Sequence, residues 1–144
     1  GLHRVAGSVD IIELHGNLGR DKCSRENVVV DRAAVRATDN GLLICPRCGA
    51  YLRPDVVWFG ETLPRDALDR AFQEATQCDV WLSIGTSSMV EPAASLPRRA
   101  HRAGALVIEI NPDETPLSAG ADQVRRGKAG EIQPELVDLL KRKT

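Results

Sequence analysis

The sequence predicts an α/β protein built on a parallel sheet and interrupted by a small insertion bracketed by cysteines. Three observations carry that prediction. "DVWLSIG" (79–85) and "ALVIEIN" (105–111) are near-continuous apolar runs of strand length, the pattern of strands buried on both faces. The segment between them, "EPAASLPRRAHRAG" (91–104), reads as a helix, and a strand–helix–strand connection of that length is a right-handed crossover. Residues 19–54 differ: they are charged, poor in apolar residues at helical spacing and flanked by cysteines, so something other than a large core must hold them.

Each element has its own signal. Ile11, Ile12 and Leu14 in "IIELHGNL" form the short apolar run of a strand, and Gly16 with Asn17 ends it, which puts His15 at a strand's carboxyl end. "VVV" (28–30) supplies one strand of a hairpin in the insertion. "RPDVVWFGET" (53–62) runs four apolar residues into a glycine and an acid; it fits a core strand, or a cleft wall whose edge pairs with an extended peptide. After Pro64, Leu68, Ala71, Phe72 and Ala75 recur at helical spacing. In 91–104, Pro92 suits the first turn and Gly104 the C′ position, while Pro97 predicts a kink or an early break. A short strand over 123–125 joins the sheet. Ile132, Leu136, Leu139 and Leu140 mark a closing helix, with Pro134 in its first turn and Lys141, Arg142 and Lys143 at its negative end.

The bulk numbers narrow the class. With 144 residues, 42% of them hydrophobic, the chain can bury a real core, and a net charge of −1 gives no global pull toward nucleic acid or an anionic membrane. No run approaches the roughly 18 apolar residues of a membrane helix, so a soluble, cytoplasmic protein is expected. Four cysteines, two of them in "CPRC" (45–48), point to metal or reduced thiols more than to disulfides.

Four constellations carry chemistry. His15 sits where open parallel sheets bind ligands and has the side chain suited to general base work near neutrality; a core histidine bonded to backbone is the competing reading. Cys45 and Cys48 form one half of a zinc ribbon. Cys23 begins the other half, but Glu26 stands where its mate belongs, at a distance from Cys45 within the usual roughly 15 to 20 residues. Zinc is therefore a candidate ion at an incomplete site, the alternative is a decayed site whose loops persist, and Cys78 reads as a core thiol. In "SIGTSSMVEP" (83–92) a strand end, a glycine and three hydroxyl residues precede a helix, which suits a phosphate or ribose. In "EINPDETPL" (109–117) Asn111 ends the next parallel strand at the same edge of the sheet.

"GLHRVAGS", "ELHGNL", "CPRCGAYLRPDVVWFGE", "IGTSSMVEPAASLP", "GALVIEINPDETPLS" and "RGKAGEIQPELV", in that order, resemble the sirtuin family of NAD-dependent protein-lysine deacylases, with wording closest to its bacterial and class III branch. The resemblance implies a Rossmann-like sheet, incomplete here, made of 1–18 and 55–144, with 19–54 as a small zinc-ribbon-like subdomain. It implies that NAD and an acyl-lysine protein or peptide are consumed, releasing nicotinamide and O-acyl-ADP-ribose. His15 matches the family's general base. Gly85, Thr86 and Ser87 match contacts to NAD ribose and phosphate, Asn111 a contact to the adenosine ribose, and Lys128 and Ala129 the residues flanking adenine. Val57, Trp58, Phe59, Gly60 and Glu61 match one side of the substrate peptide, Met89 and Val90 the other. Cys23, Cys45 and Cys48 match three of the family's four zinc ligands.

The chain departs from the family pattern in two ways. Glu26 replaces one zinc cysteine, and neither the Asn-x-Asp element for nicotinamide nor the Gly-rich pyrophosphate loop occurs in these residues. The chain is accordingly expected to be a partial catalytic core that binds NAD weakly and does not turn over alone. A non-catalytic NAD- or ADP-ribose-binding module is the alternative, and a zinc-ribbon nucleic-acid module is disfavoured by the near-neutral charge.

Overall fold

A computed structural model describes residues 1–142. The chain forms two compact units, Gly1–Leu68 and the residues from Asp69 on.

The first unit opens with a short helix α1 (Leu2–Val5) and is organised by three strands, β1 (Gly16–Cys23), β2 (Val29–Val30) and β5 (Leu52–Val56). They pair antiparallel in the order β2-β1-β5, with a two-stranded ladder of β3 (Arg36–Ala37) and β4 (Leu43–Ile44) beside them in sequence. The hairpin expected at 28–30 is present. Ile11 to Leu14 do not form a strand: 11–13 are irregular, Leu14 and His15 form a turn, and the strand begins at Gly16. A strand exists only as a paired ladder, and the apolar run has no ladder partner among the described residues, whereas Gly16 pairs with Val56. The β1–β5 register shifts between Asn17, which pairs with Asp55, and Asp21, which pairs with the strand proline Pro54, and Leu18 in this irregular stretch is exposed. The core-strand reading of Trp58 and Phe59 is also overturned, because β5 stops at Val56 and both rings lie on the exposed loop that follows.

Helix α2 (Arg65–Gln77) follows Pro64 and buries Ala71 and Ala75 on its apolar face. The second unit carries β6 (Val80–Ile84), β7 (Leu106–Ile110) and β8 (Gln123–Arg125), all parallel, in the order β6-β7-β8. Ile84, Ile110 and Arg125 share one register row, so the three carboxyl ends face one edge. β6 is an edge strand among the described residues and leaves Val80 and Leu82 half exposed, contrary to burial on both faces; β7, in the centre, buries Val107 and Ile110 completely. The crossover is not one helix. A 3-10 turn (Ala93–Ser95) precedes α3 (Leu96–Arg102), and Pro97, expected to kink or end the helix, falls instead in the first turn of α3, where a missing N–H needs no partner. The closing helix α4 (Ala129–Lys141) starts earlier than expected, so Pro134 falls inside it rather than in its first turn. Arg142 caps that helix and Lys143 lies outside the described residues. Cys78 is only half-buried, its thiol against the Ala75 carbonyl. No described helix is long and apolar enough to cross a membrane.

Candidate functional site

The candidate residues fall into two groups, one in each unit. In the first, His15 lies on the turn that feeds β1, with an exposed side chain, and among the described residues its ring has no hydrogen-bond partner. That excludes the reading of a core histidine bonded to backbone. Its backbone is fixed all the same, since the His15 carbonyl accepts the Val57 N–H at 3.1 Å. Gly16 makes this possible: its φ is +80°, and a Cβ there would meet the Asp55 carbonyl oxygen at 2.0 Å.

Charge holds the turn from the other side. Glu13 accepts from Arg4 Nε (3.1 Å), Asn17 Nδ2 (2.6 Å) and Arg20 Nη1 (2.6 Å), and Arg20 also donates to Asp55. The bonds from Arg4, Asn17 and Arg20 lower the Glu13 carboxyl to about 2.

The loop after β5 exposes aromatic surface next to this turn. Phe59 is 94% and Trp58 54% exposed, and Val57 is half-buried. Glu61, matched to substrate binding, spends its carboxylate inside the loop: it accepts the Trp58 N–H (3.1 Å) and pairs with Arg53 (2.6 Å). Those two contacts, the Trp58 N–H first, hold its carboxyl below the usual range. Arg53 also lies 4.9 Å from the centre of the Trp58 ring, and Gly60 supplies the left-handed turn at φ +87°.

The thiols of Cys23, Cys45 and Cys48 converge within 4.8 Å of one another. Two turns aim them: the Glu26 N–H points at Cys23 Sγ (3.3 Å), and Cys45 bonds Ala50 and Gly49 through its backbone. The Glu26 N–H is also the main reason the Cys23 thiol is shifted down. The Glu26 carboxylate stays outside the cluster and pairs with Arg47 at 3.1 Å. Three soft donors at this separation fit three corners of a tetrahedral zinc site.

The second group gathers at the carboxyl edge of the parallel sheet. Gly85 turns at φ +60° with open space where a Cβ would stand, and its N–H bonds the Ile110 carbonyl at 2.9 Å. Thr86 and Ser87 are exposed behind it. Ser88 has φ +53°, and among the buried side-chain polar atoms of the described residues its hydroxyl is the one left without a partner. Asn111 is buried rather than open: its Nδ2 donates to the Thr86 carbonyl (2.8 Å) and its Oδ1 accepts the Asp113 N–H (3.1 Å). The Gly127 N–H reaches the Asn111 carbonyl at 3.4 Å, which brings Lys128 and Ala129, at the start of α4, to the same edge. Met89 and Val90 follow with exposed side chains. A strand-edge glycine, the exposed hydroxyls of Thr86 and Ser87, of which Thr86 Oγ1 accepts the Ser88 N–H at 3.4 Å, and a buried hydroxyl without a partner suit a phosphorylated sugar.

The Sir2 family profile matches residues 1–92. The chain belongs to the Sir2 family. The NAD-dependent protein deacylase of Pyrococcus abyssi is 46% identical over 98% of this chain and 58% of that protein. NAD-dependent protein deacylase 1 of Archaeoglobus fulgidus is 49% identical over 94% of this chain and 55% of its own length. Among solved structures, a Sir2 homologue–NAD complex aligns at TM-score 0.90 with 47% identity, over 99% of this chain and 55% of that one. A Sir2–p53 peptide–NAD⁺ complex aligns at 0.83 with 32% identity, over 95% and 58%. The chain thus spans a little more than half the length of these Sir2 relatives.

The site residues hidden from sequence reading are the ones that brace it. Glu13, Arg20 and Asp55 look like ordinary surface charge. Glu109 had a signal, a lone acid inside the apolar run "LVIEI".

Proposed function

We propose that this chain supplies the general base, the peptide-facing loop and the nucleotide-facing edge of an NAD-dependent protein-lysine deacylase. The observation that carries the reading is His15, whose unengaged, exposed ring stands on a turn tied by backbone to the exposed aromatic loop 57–61. Bound NAD would supply an electrophilic sugar carbon with nicotinamide as leaving group. His15 then has one task, to take a proton from a sugar hydroxyl within hydrogen-bond reach as the acyl-lysine oxygen is brought to bear. Val57, Trp58 and Phe59 present apolar surface for the acyl-lysine stem, Met89 and Val90 would also contact the peptide, and Glu61 keeps the loop in shape. Gly85, Thr86, Ser87 and the Ser88 hydroxyl would hold ribose and phosphate, while Lys128 and Ala129 flank the adenine. Cys23, Cys45 and Cys48 would hold zinc, whose contribution is structural.

In this reading residues 1–18 and 55–144 form the nucleotide-binding part and 19–54 the ribbon, in a cytoplasmic enzyme acting on protein. Support comes from the deacylase relatives and from the peptide and NAD complexes of the structural neighbours. The test is nicotinamide release from NAD and an acetyl-lysine peptide, in the protein as its gene encodes it. His15→Ala should lower release by about 10² to 10⁴-fold while ADP-ribose binding persists. Unchanged release in that variant would remove the base from the mechanism, and binding without any release would favour a non-catalytic module.

A further inference from the structure

Inside the second unit is a charged group that the proposed chemistry does not use. Glu109, in the central strand β7, is only 1% exposed. Its carboxylate accepts from the Thr115 and Ser118 hydroxyls and pairs with Arg126 Nη1 at 3.3 Å. Buried carboxylates are retained only when their lone pairs are filled, and here the fillers come from two other segments, the loop after β7 and the turn after β8.

Arg126 continues the chain of contacts. The same Nη1 donates to the Asp113 carbonyl at 2.6 Å, and Nη2 donates to Ser118 Oγ at 2.9 Å. The Asp113 N–H goes to Asn111 Oδ1, and Asn111 Nδ2 goes to the Thr86 carbonyl. An unbroken relay therefore runs from Glu109 through Arg126, Asp113 and Asn111 to the loop 85–88. The links Glu109–Arg126, Arg126–Asp113 and Asn111–Thr86 join segments distant in sequence, and the Asp113–Asn111 bond closes the turn between them. The relay fixes how far the hydroxyl loop stands from the turn that carries Lys128.

From this geometry we infer that Glu109 and Arg126 are positioning residues that lock loop 85–88 and loop 111–118 at the separation an ADP-ribose moiety requires. The inference rests on the nucleotide reading of this edge given above. Neither residue touches the ligand; both act through Asn111. The guanidinium fork matters because one arm reaches the carboxylate and a carbonyl while the other reaches Ser118, which a lysine cannot reproduce.

Two readouts on the same protein test this. Amide hydrogen exchange without ligand reads the relay itself. Arg126→Met, whose side chain is 40% exposed in the parent, should speed exchange at Asp113 and across residues 85–88, and Glu109→Gln should do the same. Calorimetry with ADP-ribose reads the consequence, an affinity about tenfold weaker in either variant, little further loss when they are combined, and partial recovery in Arg126→Lys. Loosening confined to 115–118, with 85–88 protected as before, overturns the relay. So does an unchanged affinity, or additive losses in the double variant. If the unaltered protein fails to bind ADP-ribose at all, the nucleotide reading and the positioning role fall together, and the exchange pattern shows whether the mechanical coupling was sound.

Discussion

The two units are held together by different means. In the first, the buried apolar cluster consists of Cys23, Val30 and Cys45, with Val28, Val35, Cys48, Ala50 and Leu52 packed around it. In the second, buried aliphatic residues from a parallel sheet and its crossover, Val107, Ile110, Leu96 and Ala100 among them, form the core. A cluster that small removes little apolar surface from water for strands as short as β2, β3 and β4, and a metal held by the three thiols would supply the missing stability. The sheet unit has no such need, and it can afford a buried carboxylate because Thr115, Ser118 and Arg126 satisfy it. The comparison teaches that the first unit rests on its thiol cluster and ion pairs, and the second on packing.

The largest test of that contrast is metal removal. A structural zinc in a site of this kind contributes on the order of 10 kcal/mol, so a strong chelator should abolish amide protection in β1, β2 and β5 while β6 and β7 stay protected. Equal loss in both units would break the distinction. Cys45→Ser should abolish stoichiometric zinc uptake in a chromophore titration, because the cluster has no spare thiol. Next comes the packed half: Ile110→Ala empties a fully buried position and should destabilise by about 2 to 5 kcal/mol in denaturant unfolding, without altering zinc content.

A smaller, more local effect is expected at Gly16. Alanine there needs both a left-handed φ and room that the Asp55 carbonyl occupies, so Gly16→Ala should lower stability by about 1 to 3 kcal/mol and displace His15. Gly85→Ala shares the positive φ but meets nothing within 4 Å, and should be milder. The smallest effect is a pH dependence. Glu13 is held at about 2, below its ordinary 4.5, so its ion pairs stabilise the fold above roughly pH 5. That contribution disappears as pH falls toward 2, and Glu13→Gln should flatten this limb of the acid unfolding curve. A limb that stays as steep would assign acid sensitivity to other carboxylates.

Much of this was legible in the sequence. The apolar runs ending at Ile84 and Ile110, the helical spacing of Ala71 and Ala75, and the paired cysteines each report a local period or spacing, and local periods survive in a linear string. Legibility failed where a residue's state depends on a partner distant in sequence. Ile11, Ile12 and Leu14 have strand composition but no ladder, and Trp58 and Phe59 have core composition but no cover within their loop. The amide bonds from Asn111 to Thr86 and Asp113 likewise join positions whose proximity no local pattern reports.

By itself the sequence determined the α/β class, the cysteine-bracketed insertion and the short set of side chains able to do chemistry, because residue type and spacing fix both. Only the tertiary structure decided that His15 faces outward from a tied turn, that Glu26 pairs with Arg47 instead of joining the thiols, and that Glu109 and Arg126 pair beneath the carboxyl edge of the sheet. The reason is physical: exposure, ion pairing and bond partners belong to pairs of groups brought together by folding, and no single position in the chain contains them.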